Sequence, residues 1–242
     1  MRLSDDSRLS DRRVTEWFLL ERARKEERKA EKQPVGVQPV ITISRQYGAG
    51  GHSVADKLVT WMGPKWQVWD KEIIEAIAQS AQERTEMVAS LDEVTQSWME
   101  QMVRSLFNVR YMEAQAYHRH LAQVLLALAQ QGRKVIIGRG ANFVLPEALN
   151  VRLEAGLDFR VNDIMERYKV TKDEALRKIH EVDRVRADFT KRVFNRDITD
   201  RRAYDIIIQT DAIGFDATAA AIAAAANTMF STIREGAKPV HA

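Results

Sequence analysis

The sequence predicts an α/β protein with a parallel, doubly wound sheet. Short β-branched runs alternate along the chain with segments whose apolar residues recur at helical spacing, which is typical of strands joined by helices. Glycine or aspartate follows several of the strand-like runs, as expected where the strands of such a sheet end. The 242 residues, 45% hydrophobic and 29% charged, suffice for one core of about 200 residues and an appendage.

Five runs are predicted as strands: residues 40–44, 66–69, 134–137, 150–154 and 204–209. A segment of helical spacing follows each of them except 134–137, which ends at the turn Gly138–Gly140. Residues 52–62 repeat Val54, Leu58 and Trp61 on one face, and residues 71–81 and 159–168 are similar. One or two long helices are expected within 91–131, and an alanine-rich helix after residue 209. Thr171 and Glu174 have the spacing of a capping box that opens a charged helix to about residue 190.

Three segments are expected along the chain. Residues 1–39 form a charged helical arm and linker, residues 40–235 the main domain, and residues 236–242 a short tail. The arm has one apolar cluster, 17–20, followed by mixed charges, which is typical of a solvated helix or of one that docks on a protein partner or a second copy. Two prolines and a glycine in 33–39 indicate an extended linker.

Composition excludes several classes of protein. Without cysteine there is no disulfide framework, thiolate zinc site or cysteine nucleophile. The net charge of +3 comes from intermixed acidic and basic residues, which argues against a dedicated nucleic-acid binder but suits an anionic ligand. Aspartates among the first 13 residues argue against a signal or transit peptide, so we expect a cytoplasmic protein. The apolar stretches 121–129 and 217–226 are too short to span a membrane.

A glycine-rich turn between the first strand and the first helix is the strongest functional signal. Residues 44–53 read SRQYGAGGHS, and glycines there let backbone N–H groups converge on an anion at the N-terminus of the helix. The usual phosphate-loop pattern would place a lysine at Gly51. The alternative is a turn that only joins strand to helix.

Other polar residues follow the remaining strands. Arg139 lies between Gly138 and Gly140, where a guanidinium suits an anion. Asp70 either caps the helix that starts at residue 71 or contacts a ligand, and the two roles are compatible. Thr210 follows the last strand.

Taken together, five runs resemble the cytidylate kinase-like family of P-loop nucleoside monophosphate kinases: 41–52 (ITISRQYGAGGH), 69–74 (WDKEII), 135–142 (VIIGRGAN), 182–186 (VDRVR) and 204–211 (YDIIIQTD). The resemblance covers about residues 40–228. It implies a three-layer α/β/α P-loop fold with a helical lid at about 170–195. It also implies phosphoryl transfer from ATP, with Mg²⁺, to a nucleoside monophosphate, CMP or dCMP first.

The resemblance also assigns site residues. Those expected at ATP and its phosphates are Arg45, Tyr47, Gly48, Ala49, Gly50, Gly51, His52, Ser53, Thr210 and Asp211, with Ser53 nearest Mg²⁺ and the last two near the adenine. Asp70 and Arg139 are expected at the acceptor. Arg184 and Arg186 of the lid, together with Arg139, are expected to take part in catalysis. From spacing alone, the two lid arginines instead lie on an exposed helix face and pair with Glu181 and Asp183.

The sequence departs from classical nucleotide kinases at two places, with Gly51 for the loop lysine and Ile137 for a strand-end aspartate. Either Arg45, His52 or a lid arginine compensates, or catalysis is poor or absent. Three alternatives therefore stay open. They are a nucleotide-binding regulator, a kinase of a different small acceptor, and a scaffold or nucleic-acid-associated protein that acts through the arm.

Overall fold

Five strands form a parallel sheet in a computed structural model of the chain, which describes residues 15–17, 19, 38–106 and 116–234. The strands are β1 (Val40–Arg45), β2 (Gln67–Trp69), β3 (Lys134–Ile137), β4 (Leu149–Glu154) and β5 (Ile206–Gln209). Their order is β2-β3-β1-β4-β5, so β1 is central and pairs in parallel with β3 and β4. The predicted strands and the parallel α/β sheet are confirmed. Most of the expected arm and linker, and the tail 236–242, lie outside the described residues.

The described helices alternate with these strands. They are α1 (Gly51–Met62), α2 (Lys71–Gln79), α3 (Ala81–Ala89), α4 (Glu93–Leu106), α5 (Ala116–Gln131), α6 (Ala141–Val144), α7 (Leu157–Tyr168), α8 (Lys172–Phe194) and α9 (Thr210–Arg234). Two of them, α3 and α6, were not predicted. Ser80 starts α3 because its hydroxyl accepts from the Glu83 N–H at 3.2 Å, directly after α2 ends.

By its internal contacts the chain divides into two units, Pro39–Val68 with Arg133–Ala242 and Met1–Gln38 with Trp69–Gly132. We call the first the sheet unit and the second the helical unit. In the helical unit α5 is buried along most of its length and packs against α2, α3 and α4. Trp17 of the expected arm is also buried in this unit, and its carbonyl accepts from Gln131 Nε2 at 3.2 Å.

In the sheet unit, the two faces of β1 and β4 differ in polarity because successive side chains of a strand point to opposite faces. One face contributes apolar residues to a core shared with α1 and α9: Ile41, Ile43, Leu149, Val151 and Leu153. The other face carries Thr42, Ser44, Asn150 and Arg152. Thr42 Oγ1 donates to Asn150 Oδ1 at 2.6 Å, and Asn150 Nδ2 donates to the Ala148 carbonyl at 3.0 Å.

Trp61 was predicted on the buried face of α1, and this is wrong: its side chain is 62% exposed. The buried stripe follows Val54 and Leu58, but the last turn packs against the core through Val59 and Met62 instead. The stripe thus shifts around the helix by one position, and Trp61 faces solvent.

Helix α9 is long and apolar enough over Thr210–Ser231 to cross a membrane, judged by length and composition alone. One face of this helix packs against α1, β4 and β5, and about a third of the stretch is buried. Gly214, at φ 76° and ψ 168°, interrupts it and separates its first turn from the rest.

Candidate functional site

In the sheet unit, loops follow β1, β3 and β4 and a helix follows β5 directly, and the carboxyl ends of these four strands share one edge of the parallel sheet. Ligands of open parallel sheets bind at this edge. Asp70 follows β2 but belongs to the helical unit. Its Oδ1 accepts from the Ile73 N–H at 3.1 Å. Asp70 therefore caps α2, which is one of the two roles predicted for it.

The glycine loop, residues 45–50, leads from β1 into α1. Gly48 and Gly50 have φ of 84° and 76°, a region that favours glycine. A β-carbon at Gly48 would lie 2.9 Å from the Cβ of Arg160. Gly50 is the N-cap of α1 and, in the described part of the chain, no side chain caps this helix. Its first turn therefore presents backbone N–H groups that suit an anion.

The Arg45 side chain lies beside this loop. Its side chain crosses the α-carbon of Gly51, where an added Cβ would be 2.9 Å from Arg45 Cγ. Its Nη1 lies over Gly138, so close that a β-carbon there would collide with it. The Arg45 guanidinium thus lies between the loops after β1 and β3, beside the position where a phosphate loop usually carries lysine.

The helical hairpin α7–α8 (Leu157–Phe194) contacts the glycine loop directly. The Tyr47 N–H donates to Asp183 Oδ1 at 2.8 Å, while Arg160 Nη1 donates to Asp183 Oδ2 at 2.6 Å. Arg186 Nη1 donates to the Arg45 carbonyl at 3.0 Å. Side chains of both helices of the hairpin therefore reach the same loop.

Tyr47 reinforces this contact with its ring. The ring packs against the small core of the hairpin, formed by Val161, Ile164, Ala175 and Ile179. The Arg186 guanidinium lies 5.5 Å from the centroid of the ring. Burial and a hydrogen bond with the Tyr168 hydroxyl raise the pKa of Tyr47.

Arg139 follows β3 in a left-handed conformation, with φ 54°. Its guanidinium lies 4.9 Å from the ring centroid of Phe189, near the end of α8. The ring of Phe194 covers Gly140 and would collide with a β-carbon there. The hairpin thus covers the loop after β3 as well as the glycine loop.

The two expected lid arginines lie in different surroundings. Arg186 is half-buried against the glycine loop. Arg184 is 70% exposed and pairs with Asp188 at 3.3 Å, one turn further along α8. For Arg184 the exposed helix face that spacing alone predicted is confirmed, but its partner is Asp188 rather than Glu181 or Asp183.

Thr210 and Asp211 connect the loops of this edge. The Thr210 hydroxyl is buried, 3.1 Å from the Ala49 carbonyl and 3.2 Å from that of Glu154. Asp211 Oδ2 accepts from the Gly156 N–H at 2.8 Å. His52 and Ser53 lie in the first turn of α1, His52 exposed and Ser53 half-buried.

Three residues at the loop were missed from the sequence as site residues: Arg160, Asp183 and Phe215. Asp183 was considered only as an ion-pair partner on an exposed helix face. Arg160 had a local signal, since it lies in the first turn of the helix that follows β4. Their approach to the loop depends on contacts more than 100 residues apart, which helical periodicity does not reveal.

The parallel sheet, with a glycine loop between its central strand and α1, is the architecture of P-loop kinase-like α/β proteins. The chain belongs to the cytidylate kinase-like family, whose sequence profile matches residues 40–212. No curated protein matches the chain.

The chain is similar to solved structures, and the first of these shares its fold. An uncharacterized protein from Eubacterium ventriosum is 20% identical, with a TM-score of 0.54, and the match covers 79% of this chain and 99% of that one. The Thermus thermophilus protein TT1252 is 18% identical, with a TM-score of 0.45, over 79% of this chain and 98% of that one.

Proposed function

We propose that the protein transfers the γ-phosphoryl group of ATP to a nucleoside monophosphate, with CMP or dCMP as the first acceptors to test. Membership of the cytidylate kinase-like family supports a nucleotide kinase. The acceptor follows from the family resemblance alone.

The position of Arg45 is the observation that carries this proposal. A loop with Gly51 in place of lysine lacks a point charge for the phosphates. The Arg45 side chain crosses Gly51 and supplies a cation beside it. Arginine is always charged and binds phosphate oxygens through a planar fork of donors, so it is a suitable substitute.

Phosphoryl transfer depends on positioned positive charge more than on covalent participation of the protein. In the proposed complex, the N–H groups of the first turn of α1 bind the ATP phosphates, and Arg45 adds positive charge beside them. Arg139 binds the acceptor phosphate from the loop after β3, in agreement with its guanidinium at that edge. Asp70 remains a proposed acceptor contact.

Mg²⁺ is expected to arrive with ATP, and Ser53 is the residue that would hold it. In the described part of the chain, no group of three or more His, Cys, Asp or Glu side chains is placed to bind a metal ion. Mg²⁺ commonly keeps several waters and binds through substrate phosphates and one or two protein oxygens. A single hydroxyl next to the loop fits that mode. When bound, the cation would neutralise charge on the phosphate oxygens.

The missing lysine and strand-end aspartate favour one second candidate, a catalytically weak nucleotide-binding regulator with the same anion site. A kinase of another small acceptor would differ only in the acceptor. A scaffold acting through the arm is the remaining alternative. Truncation before residue 36 tests it, with a check that the shortened protein is folded, because the truncation also removes the buried Trp17. A kinase keeps its turnover without the arm, whereas a scaffold loses its partner.

The direct experiment measures ADP and diphosphate formation from ATP and Mg²⁺ with CMP, dCMP, UMP, AMP, GMP or no acceptor. Product that depends on CMP or dCMP supports the proposed reaction. Product with only a different nucleotide corrects the acceptor. ATP binding without transfer to any acceptor, in folded protein, favours the regulator or a kinase of another small molecule.

A further inference from the structure

We propose that Asp183 is a positioning residue that holds the glycine loop in its ligand-binding shape by joining it to the hairpin α7–α8. The inference rests on the proposed function only in treating this loop as the ATP-phosphate site. Asp183 contacts the loop through the Tyr47 N–H at 2.8 Å.

Side chains of the hairpin form hydrogen bonds with backbone groups in the first half of the loop. Besides the Tyr47 N–H, the Tyr47 carbonyl accepts from Arg160 Nη1 at 3.4 Å and the Arg45 carbonyl accepts from Arg186 Nη1 at 3.0 Å. Backbone groups at such half-buried positions need partners, or they destabilise the conformation that buries them. These contacts use the first half of the loop and leave the N–H groups that follow Gly50 for an anion.

Asp183 also sets the position of both hairpin arginines. Its Oδ2 accepts from Arg160 Nη1 at 2.6 Å, and its Oδ1 lies 3.8 Å from Arg186 Nη1. The side chain of Arg160 is only 11% exposed, and its Cβ and carbonyl lie against Gly48. Because a buried guanidinium needs a counter-charge, loss of Asp183 would leave Arg160 uncompensated beside the loop.

The local charge remains favourable for phosphate. Two guanidiniums, those of Arg160 and Arg186, surround the single carboxylate of Asp183, so this group of three is net positive. Asp183 therefore orders the loop without turning the site negative. It follows that the loop and the hairpin move together, and that contact with the hairpin keeps the loop ready for ATP.

The experiment compares Asp183→Ala and Asp183→Asn with wild type in the full-length protein, with Asp188→Ala as the matched control. Asp188 is an exposed acid on the same helix that pairs with Arg184. Two readouts are used: amide hydrogen exchange of residues 45–50 without nucleotide, and the Kd for ATP. Neither requires turnover, so failure of the kinase proposal and failure of this inference are distinguishable.

We expect Asp183→Ala to raise exchange of the loop amides and the Kd for ATP at least tenfold, with Asp188→Ala like wild type. Asp183→Asn keeps an oxygen for the Tyr47 N–H but loses the charge that holds Arg160. Its loop exchange should therefore lie between that of Asp183→Ala and that of wild type. Loop exchange in both Asp183 variants equal to that of Asp188→Ala overturns the proposal. Tighter ATP binding by the Asp183 variants also overturns it, because Asp183 would then hinder ATP binding and not prepare the loop for it. If Asp183→Ala does not fold, Asp183→Asn decides.

Discussion

The ring of Phe215 lies against the α-carbon of Gly50, and a β-carbon added there would meet the ring, with Cδ1 at 2.8 Å. Phe215 follows the break in α9 at Gly214, and its ring also contacts Phe159 of α7 at 6.0 Å between centroids. The space beside Gly50 is thus filled by an aromatic side chain. A larger residue at position 50 would therefore collide with Phe215.

Replacing Gly50 by Val is expected to abolish detectable ATP binding, because the left-handed φ of 76° and the Phe215 ring both oppose a side chain. Gly50→Ala should weaken binding less, and adding Phe215→Ala to it should restore part of the affinity. Calorimetric titration with ATP measures this. Gly63→Ala, at a glycine of φ 93° with open space around it, is the control for backbone strain. Unchanged affinity in Gly50→Val would make the loop a structural turn.

Arg45→Ala is expected to lower kcat/KM for phosphoryl transfer by about 100-fold, the usual cost of removing one positioned donor from a transition state. Arg45→Lys should recover part of it, because the charge returns without the planar fork. Steady-state kinetics of the folded variants provide the test, with the exposed Arg202→Ala as control. Full activity of Arg45→Ala would assign compensation for the missing lysine to another residue.

Arg139→Ala is expected to raise the KM for the acceptor about 10- to 100-fold, because a charged hydrogen bond contributes roughly 1.5–3 kcal/mol. The KM for ATP should change much less. Initial rates at varied acceptor and saturating ATP separate the two constants. Turnover identical to wild type would remove Arg139 from the site.

Arg186→Ala is expected to reduce activity more than Arg184→Ala. Arg186 donates to the Arg45 carbonyl at 3.0 Å, whereas Arg184 pairs with Asp188 on an exposed face. Exposed pairs contribute little, about 0–1 kcal/mol. Kinetics of both single variants decide the order. A larger loss for Arg184→Ala would indicate that α8 rearranges when nucleotide binds.

The start of α8 should be sensitive to acid. Hydrogen bonds from the Thr171 backbone and hydroxyl lower the pKa of Glu174, and nearby Arg177 and Lys178 act in the same direction. A lowered folded-state pKa stabilises the fold above the ordinary glutamate pKa, and the effect is lost as pH falls through the folded value. Wild type should therefore exceed Glu174→Gln in Tm at neutral pH, and the difference should vanish in acid. A constant difference across the titration would contradict this.

The sequence was sufficient for the sheet because each strand carries a local β-branched signal with a turn after it. It was also sufficient for the capping box of α8, where Thr171 and Glu174 bond to each other as predicted. It did not reveal that Trp61 lies outside the core. That depends on which residue of the last turn of α1 meets the sheet, which periodicity leaves undetermined.

The candidate site was only partly predicted, because local sequence patterns do not reveal contacts between distant parts of the chain. Glycines at strand ends are a local pattern, so the glycine loop and Arg139 were found. The hairpin contacts join Asp183 to Tyr47 across 136 positions of the chain, and the exposed-helix reading of Asp183 fits its sequence neighbours equally well. Only the three-dimensional structure shows that Arg186 lies at the loop and Arg184 on the surface.

The polar pair Thr42 and Asn150 fixes more than a local hydrogen bond. Because side chains alternate along a strand, sliding β1 past β4 by one residue would bring Thr42 to the apolar face and Ile41 and Ile43 to the polar one. The alignment of the two strands is therefore all-or-none. The glycine loop and the loop that begins α7 extend from the ends of these strands, so their relative height at the sheet edge is set before any ligand arrives.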